Sequence, residues 1–225
     1  MRDAEPRFTR GFRPRATARE RGGFVRLPDW RAHHSGAECA RRMPSADPSP
    51  RLEYVREPDV SPALDRELIE LISGCFNQPH NAFFKERRYA QEMPLHRYLL
   101  RSAAGRLVAH AAVHEKVVAV AEADVRIGGI AEVCVHESAR GRGHVRVLLE
   151  QVHRGLADRG VEFAFLFGDS AIYASSGYRP IPAAIRRFNP ATQSVEVAPN
   201  PSALVRPLGD RAWPEGPVDL RGPLF

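Results

Sequence analysis

The stretch Ile130-Ala131-Glu132-Val133-Cys134-Val135-His136-Glu137-Ser138-Ala139-Arg140-Gly141-Arg142-Gly143-His144-Val145 decides the fold. Its first part, Ile130 to His136, is mostly apolar and β-prone, and its middle is small and basic. From Gly143 to Arg159 the residues Val145, Leu148, Leu149, Val152 and Leu156 recur at helical spacing, and Gly160 is placed to end the helix. The stretch therefore reads as strand, tight loop, helix. A helix start carries free backbone N–H groups and the positive end of the dipole, which together make an anion site. Glycines let the backbone approach a ligand closely. Arg140 and Arg142 can add charge-assisted bonds to phosphate oxygens, which suits a pyrophosphate. Taken alone, Arg140 to Val145 is equally compatible with an ordinary strand-to-helix turn bearing solvated arginines.

Two other phosphate-binding patterns lack their required residues. A Walker A loop needs Gly-Lys-Ser/Thr, which is absent, and a dinucleotide fingerprint needs glycine where Arg146 stands and an acid near Phe167. Beyond the helix, Val161 to Phe167 is almost continuously apolar, as in a strand buried on both faces, so strand, helix and strand imply a parallel crossover. Upstream, Arg97 to Ser102 and Arg106 to Val113 are β-rich runs split by the hairpin link Ala103-Ala104-Gly105. A third run extends to Val120, and Glu122 to Asp124 can turn it into Val125 to Val135, giving an antiparallel meander. Further out, Leu52 to Arg56 reads as a strand, and Ser61 as the N-cap of a helix that begins at Pro62 and aligns Leu64, Leu68, Ile69, Leu71 and Ile72. Phe76 to Met93 reads as a loop with a short helical turn bordering a substrate cleft. Downstream come a short helix from Ala171 to Ser176 closed by Gly177, strands at Ala183 to Phe188, Ser194 to Val197 and Ala203 to Leu208, and a Pro- and Gly-rich end. The fold class is α/β: a mixed, mostly antiparallel sheet flanked by helices.

A chain of 225 residues that is 43% apolar can bury one sizeable core. It has no apolar run of about 18 residues and no apolar block near the start, so the expectation is a cytoplasmic protein with no membrane partner. The net charge of +6 belongs mainly to residues 1 to 50, whose eleven arginines face six acids and leave the remainder near +1. That segment, alternating Arg, Pro, Gly, Ala and Ser, is expected to be a disordered basic tail ahead of a domain spanning 51–225. Asp3, Glu5, Glu20 and Asp29 argue against a transit peptide, while an extension of the coding frame ahead of a later start such as Met43 fits equally well. The domain shows no basic stripe with interleaved aromatics, which argues against a dedicated nucleic-acid role. Cys39, Cys75 and Cys134 are odd in number and widely spaced, so they read as reduced thiols. No His-Glu pair is followed by a second His at zincin spacing, so no metal is expected.

Val133 to Gly143 resembles the strand and R/Q-x-x-G-x-G/A loop of the GNAT acyltransferases. A second segment, Ile172-Tyr173-Ala174-Ser175-Ser176-Gly177-Tyr178, is similar to the family's F-Y-x-x-x-G-F/Y segment after the next strand. The likeness covers about residues 52 to 208. It implies a GNAT fold with acetyl-CoA, the acyl donor, in the cleft between Ile130 to His136 and Val161 to Phe167. The loop residues Arg140, Gly141, Arg142, Gly143, His144 and Val145 would then hold the coenzyme A pyrophosphate, and the backbone of Val133, Cys134 and Val135 would pair with the pantetheine arm. Val145 stands where the pattern has its last glycine, as in the aminoglycoside 2′-N-acetyltransferases, which Arg106 to Val113 and Tyr173 to Tyr178 also resemble. Trp213-Pro214-Glu215-Gly216 is loosely similar to the ends of those enzymes and of nodulation N-acyltransferases.

The resemblance implies direct acetyl transfer to a primary amine of a small molecule, aminoglycoside-like or other. Transfer of a longer acyl chain, or a non-catalytic coenzyme A-binding module, stand as alternatives, and a homodimer is left open. Acyl transfer needs a neutral amine, a stabilised oxyanion and a proton for the departing thiolate. Tyr173 suits the last task, since a phenol with a pKa of about 10 can donate to a thiolate whose acid is near 8.5. The alternative is a packed tyrosine. Glu132, the carboxylate within the central strand, is either the base, acting directly or through water, or an exposed or salt-bridged strand acid. Measured back from Arg140 it stands one residue from the aminoglycoside enzymes' glutamate, and one residue on a strand reverses the face. Cys134 in its apolar strand reads as a small buried hydrophobe, and Asp169 and Ser170 as a helix cap.

Overall fold

The computed structural model describes residues 50–225, so the basic segment expected to be disordered lies, but for its last residue, outside the described residues. Strand β1 (Arg51–Arg56) leads to helix α1 (Pro62–Cys75). The Ser61 hydroxyl accepts from the Leu64 N–H at 3.2 Å and Pro62 takes the first helical position, so the chain starts α1 where its capping residues dictate. A 3₁₀ turn at Pro79–Lys85 interrupts the loop that follows. Strand β2 (His96–Arg101) pairs antiparallel with β1 on one side and with β3 (Leu107–Val120) on the other. The two β-rich runs expected between Arg106 and Val120 are fused into this one strand. A turn at Ala121, whose φ is 52°, reverses β3 into β4 (Ala123–Val135).

Helix α2 (His144–Asp158) crosses over to β5 (Phe163–Phe167), which lies parallel to β4. A short α3 (Ser170–Tyr173) precedes β6 (Arg179–Pro180), β7 (Ala184–Asn189), β8 (Ser194–Pro199), β9 (Ala203–Pro207) and β10 (Val218–Asp219). All ten strands form one sheet in the order β6-β9-β5-β4-β3-β10-β7-β8, with β2 and β1 continuing beside the first half of β3. Among the described residues only the β4–β5 and β10–β7 pairs are parallel. The expected mixed, mostly antiparallel sheet with flanking helices is thus the fold.

The helices cover opposite faces. Leu148, Leu149, Val152 and Leu156 of α2 pack against Ala111, Val113, Ile130 and Leu166. Leu68 and Ile72 of α1 pack with Leu99 and Cys134, residues one step out of phase and therefore on the other face. Among the described residues no helix is long and apolar enough to cross a membrane.

Strand β10 and the core role of the chain's end were not legible beforehand. Val218 and Asp219 insert between β3 and β7, Leu220 is fully buried, and the Phe225 ring packs against Phe165, Phe167 and His114. A two-residue strand has no period to read, and Pro214, Gly216 and Pro217 beside it signal a loop.

Candidate functional site

Parallel pairing of β4 with β5 runs only from Ile127 to Ile130 against Phe163 to Leu166, and no pairing joins the two strands beyond that point. A cleft of about 330 Å³ opens further along β4, closed at its far end by the start of α2. Gly141 and Gly143 have φ of 74° and 75°, in the left-handed region where a side chain costs about 1–3 kcal/mol. Gly143 is also the N-cap of α2, and as glycine it has no side chain to bond the first-turn N–H groups. Those of His144, Val145 and Arg146 therefore remain for a ligand or water. The loop is shaped as an anion cradle.

Of the residues expected to hold a cofactor, Val133, Cys134, Val135, Arg140, Gly141, Gly143, His144 and Val145 line this one cleft, and so does Tyr173. Arg142 and Glu132 do not line it. Arg140 turns back toward the strand, its Nε donating to the Val135 carbonyl at 3.1 Å. A larger groove of about 770 Å³ lies between α1 and the start of β3, sharing Cys75 and Arg140 with the cleft, but it lacks the α2 N-terminus.

Tyr173 ends α3, which Asp169 caps by accepting from the Ala171 N–H at 2.9 Å. Its ring lies edge-on to Tyr178, 5.9 Å between centroids, and against Gly168, where a Cβ would come within 2.6 Å of Cε2. Glycine at 168 is what lets the ring sit at the cleft. Burial, then the nearby Cys134 thiol, push the Tyr173 phenol above its ordinary pKa, so it holds its proton at neutral pH.

Glu132 is buried, and among the described residues it forms no salt bridge. The register slips between His110 and Ala112, which face Cys134 and Ala131, and Glu132 sits in the resulting bulge with a φ of 44°. Ile130 and Val133 both pack on the α2 side, although three residues apart, so the bulge absorbs one residue of alternation. The Glu132 carboxyl consequently lies on the α1 side, where Oε1 accepts from the Ala90 N–H at 3.1 Å and Oε2 is buried without a hydrogen-bond partner among the described residues. Burial raises its pKa to about 7.

Behind the bulge runs a buried chain of charges. Arg97, with no exposed surface, forks onto both oxygens of Glu57, which also accepts from Arg88 at 3.0 Å, and Arg88 pairs with Asp65. Arg97 Nη1 donates to His110 Nε2 at 3.1 Å, and His110 Nδ1 donates to the Glu132 carbonyl at 3.0 Å.

Residues 62–181 match the acetyltransferase (GNAT) domain family, more than half of the chain. The chain belongs to the GNAT family. Among solved structures, YhbS from Escherichia coli, a GNAT family N-acetyltransferase in complex with CoA, is 17% identical with a TM-score of 0.55, over 76% of this chain and 89% of that one. A GNAT family acetyltransferase from Brucella melitensis in complex with acetyl-CoA is 18% identical with a TM-score of 0.51, over 75% and 94%. These similarities are of fold. No curated protein matches the chain.

Within this GNAT domain, two features escaped the sequence reading. Cys75, at the end of α1, and Cys134, on β4, are 59 positions apart in the chain yet both line the cleft. The Cys75 Sγ donates to the Val135 carbonyl at 3.4 Å. The Cys134 thiol and then Arg140 lower the Cys75 pKa to about 7, whereas Cys75 and burial hold Cys134 well above its ordinary value. The second feature is the Arg97–His110 link, whose partners lie on neighbouring strands. An Arg and a His inside β-rich runs were its only visible signal.

Proposed function

We propose that this GNAT domain transfers an acetyl group from acetyl-CoA to the primary amine of a small molecule by direct attack. The observation that carries the reading is the parted β4–β5 seam, with a glycine-capped helix start at one end and Tyr173 on its wall. The donor fits these residues. The free N–H groups at the start of α2 suit a pyrophosphate, and the unpaired edge of Val133 to Val135 suits a pantetheine arm. When bound, acetyl-CoA supplies the thioester and the thiol leaving group.

The chain's own residues handle the protons. Tyr173, protonated because it is buried, holds a proton at its phenol oxygen for the leaving sulfur. Glu132, on the other side of β4, accepts a proton from the incoming ammonium at its unpartnered Oε2, directly or through water. A pKa of about 7 makes it a base that is substantially ionised at neutral pH while still strong enough to take the proton. As the C–N bond forms and the C–S bond breaks, the Tyr173 phenolate left by protonation of the sulfur takes up the second proton shed by the amine nitrogen, and Glu132 releases the first to solvent.

Mass spectrometry of acetyl-CoA incubations with aminoglycosides, polyamines, amino acids and peptides tests the reading. A mass gain of one acetyl group on an amine, lost in Tyr173→Phe, is expected. Acetyl-CoA binding that Gly143→Val leaves unchanged overturns the cofactor site, and binding without turnover on any amine overturns the enzymatic role. Aminoglycosides head the panel because Arg106 to Val113 and Tyr173 to Tyr178 resemble the enzymes that act on them.

A further inference from the structure

A left-handed φ at a non-glycine residue costs about 1–3 kcal/mol and persists only where its surroundings impose it. Glu132, at φ 44°, is such a residue, and as the extra residue of a bulge it drops out of the regular ladder. Its carbonyl is nonetheless satisfied by the His110 ring. Which nitrogen does this follows from the partners alone. A guanidinium can only donate, so the Nε2 that faces Arg97 is the bare nitrogen, and a carbonyl can only accept, so the Nδ1 that faces Glu132 carries the hydrogen. Arg97 is fixed in turn by its two bonds to Glu57. The imidazole has one tautomer and one orientation available.

We infer that His110, oriented by Arg97, is a positioning residue for acetyl transfer: its Nδ1–H holds the Glu132 carbonyl at the bulge and thereby keeps the carboxyl on the α1 side of β4. The inference rests on Glu132 being the base. His110 is fully buried and stays neutral, because burial and then Arg97 hold its pKa well below the ordinary value, so it takes no proton itself. Without the strut, β4 regains regular alternation by one residue, and a one-residue slip carries the carboxyl to the α2 side.

His110→Asn keeps a donor at the Nδ1 position, while His110→Gln keeps an acceptor near Nε2 and loses that donor. With an amine from the panel, kcat per folded enzyme is expected to fall ten- to a hundredfold in His110→Gln and to stay within about threefold in His110→Asn. The Kd for acetyl-CoA is expected to be unchanged in both. A purely structural histidine would lower the folded fraction of both variants and leave kcat per folded molecule equal. Glu132→Gln separates the two ideas: wild-type kcat there sinks the base and the strut together, whereas lost kcat there with equal kcat in the two His110 variants sinks the strut alone. Should neither His110 variant fold, nitrogen-detected NMR of the wild-type imidazole decides. A protonated Nδ1 with a bare Nε2 between pH 6 and 8 is the expected state, and the opposite tautomer overturns the inference.

Discussion

The two faces of the central sheet are built on different principles. Under α2 the sheet presents Ala111, Val113, Ile130 and Leu166, an apolar surface that fixes the helix by shape and area. On the opposite face the same strands present Arg97, His110, His114 against Phe225 and, through the bulge, Glu132, all buried. Buried charge and unsatisfied polar atoms are costly, and packed apolar residues often do the same structural work better. The α2 face is therefore held by apolar packing, whereas the α1 face combines an apolar core around Leu68, Ile72 and Leu99 with buried polar and charged groups.

Arg97→Met leaves Glu57, itself 5% exposed, without its fully buried partner, and a loss of about 3–5 kcal/mol in urea unfolding is expected. Leu156→Ala on the opposite face is expected to cost about 2–5 kcal/mol through the cavity it leaves, while kcat per folded enzyme stays close to wild type. If Arg97→Met also leaves kcat per folded enzyme intact, the α1 face is scaffold as well and the division fails.

Next in size is a pH effect with a definite sign. Glu132 has an ordinary pKa of 4.5 and a folded value of about 7, so between those values the folded state binds more protons than the unfolded chain. The carboxyl's contribution to stability therefore falls as pH rises through that window, by up to about 3 kcal/mol. The buried His114 and His153, lowered to about 4 and about 3, act in the opposite direction, since the unfolded chain is the better proton binder there. The effect is thus read as the difference between wild type and Glu132→Gln, which should shrink below about pH 5. Activity runs the other way, rising as Glu132 ionises near pH 7. A difference that does not vary with pH would show that the carboxyl is not desolvated.

A change on the cleft side is subtler. Gly168→Ala brings a methyl group to within 2.6 Å of the Tyr173 ring and must displace it. Misplacing a catalytic group by about 1 Å costs up to about 100-fold, so kcat is expected to drop by that order with little change in melting temperature. An unchanged kcat would remove Tyr173 from the chemistry.

The two faces also differ in how far they could be read from the chain. The α2 face was legible because one side of a helix and one buried strand each impose a period, as Leu148 to Leu156 and Phe163 to Phe167 show. The glycine loop was legible because a left-handed N-cap needs the residue that occupies it. Glu132 was visible as a residue but not as an environment. Its side of the sheet depends on a bulge that no local signal announces, and its pKa depends on burial by elements distant in the chain. Long-range pairs such as Arg97 with Glu57, or Cys75 with Cys134, exist only after the fold has formed.

The smallest expected effect lies at Cys75, where the α1 face meets the cleft. Its pKa of about 7, against an ordinary 9.0, makes it about half thiolate at pH 7, where an ordinary thiol is about 1% ionised. Nucleophilicity falls with basicity, with a Brønsted coefficient of about 0.4–0.5, so most of that fiftyfold gain is lost and alkylation should run only about five- to eightfold faster than in a cysteine peptide. Cys134, buried and held well above its ordinary pKa, should remain unmodified in the folded protein. Peptide mass mapping after brief iodoacetamide treatment measures both rates. Arg140→Ala should remove part of the advantage because the guanidinium helps to hold the thiolate, and saturating acetyl-CoA should slow the reaction by covering the cleft wall. Equal labelling of the two thiols would mean that the end of α1 opens away from β4, and the boundary between the packed face and the reactive one would have to be redrawn there.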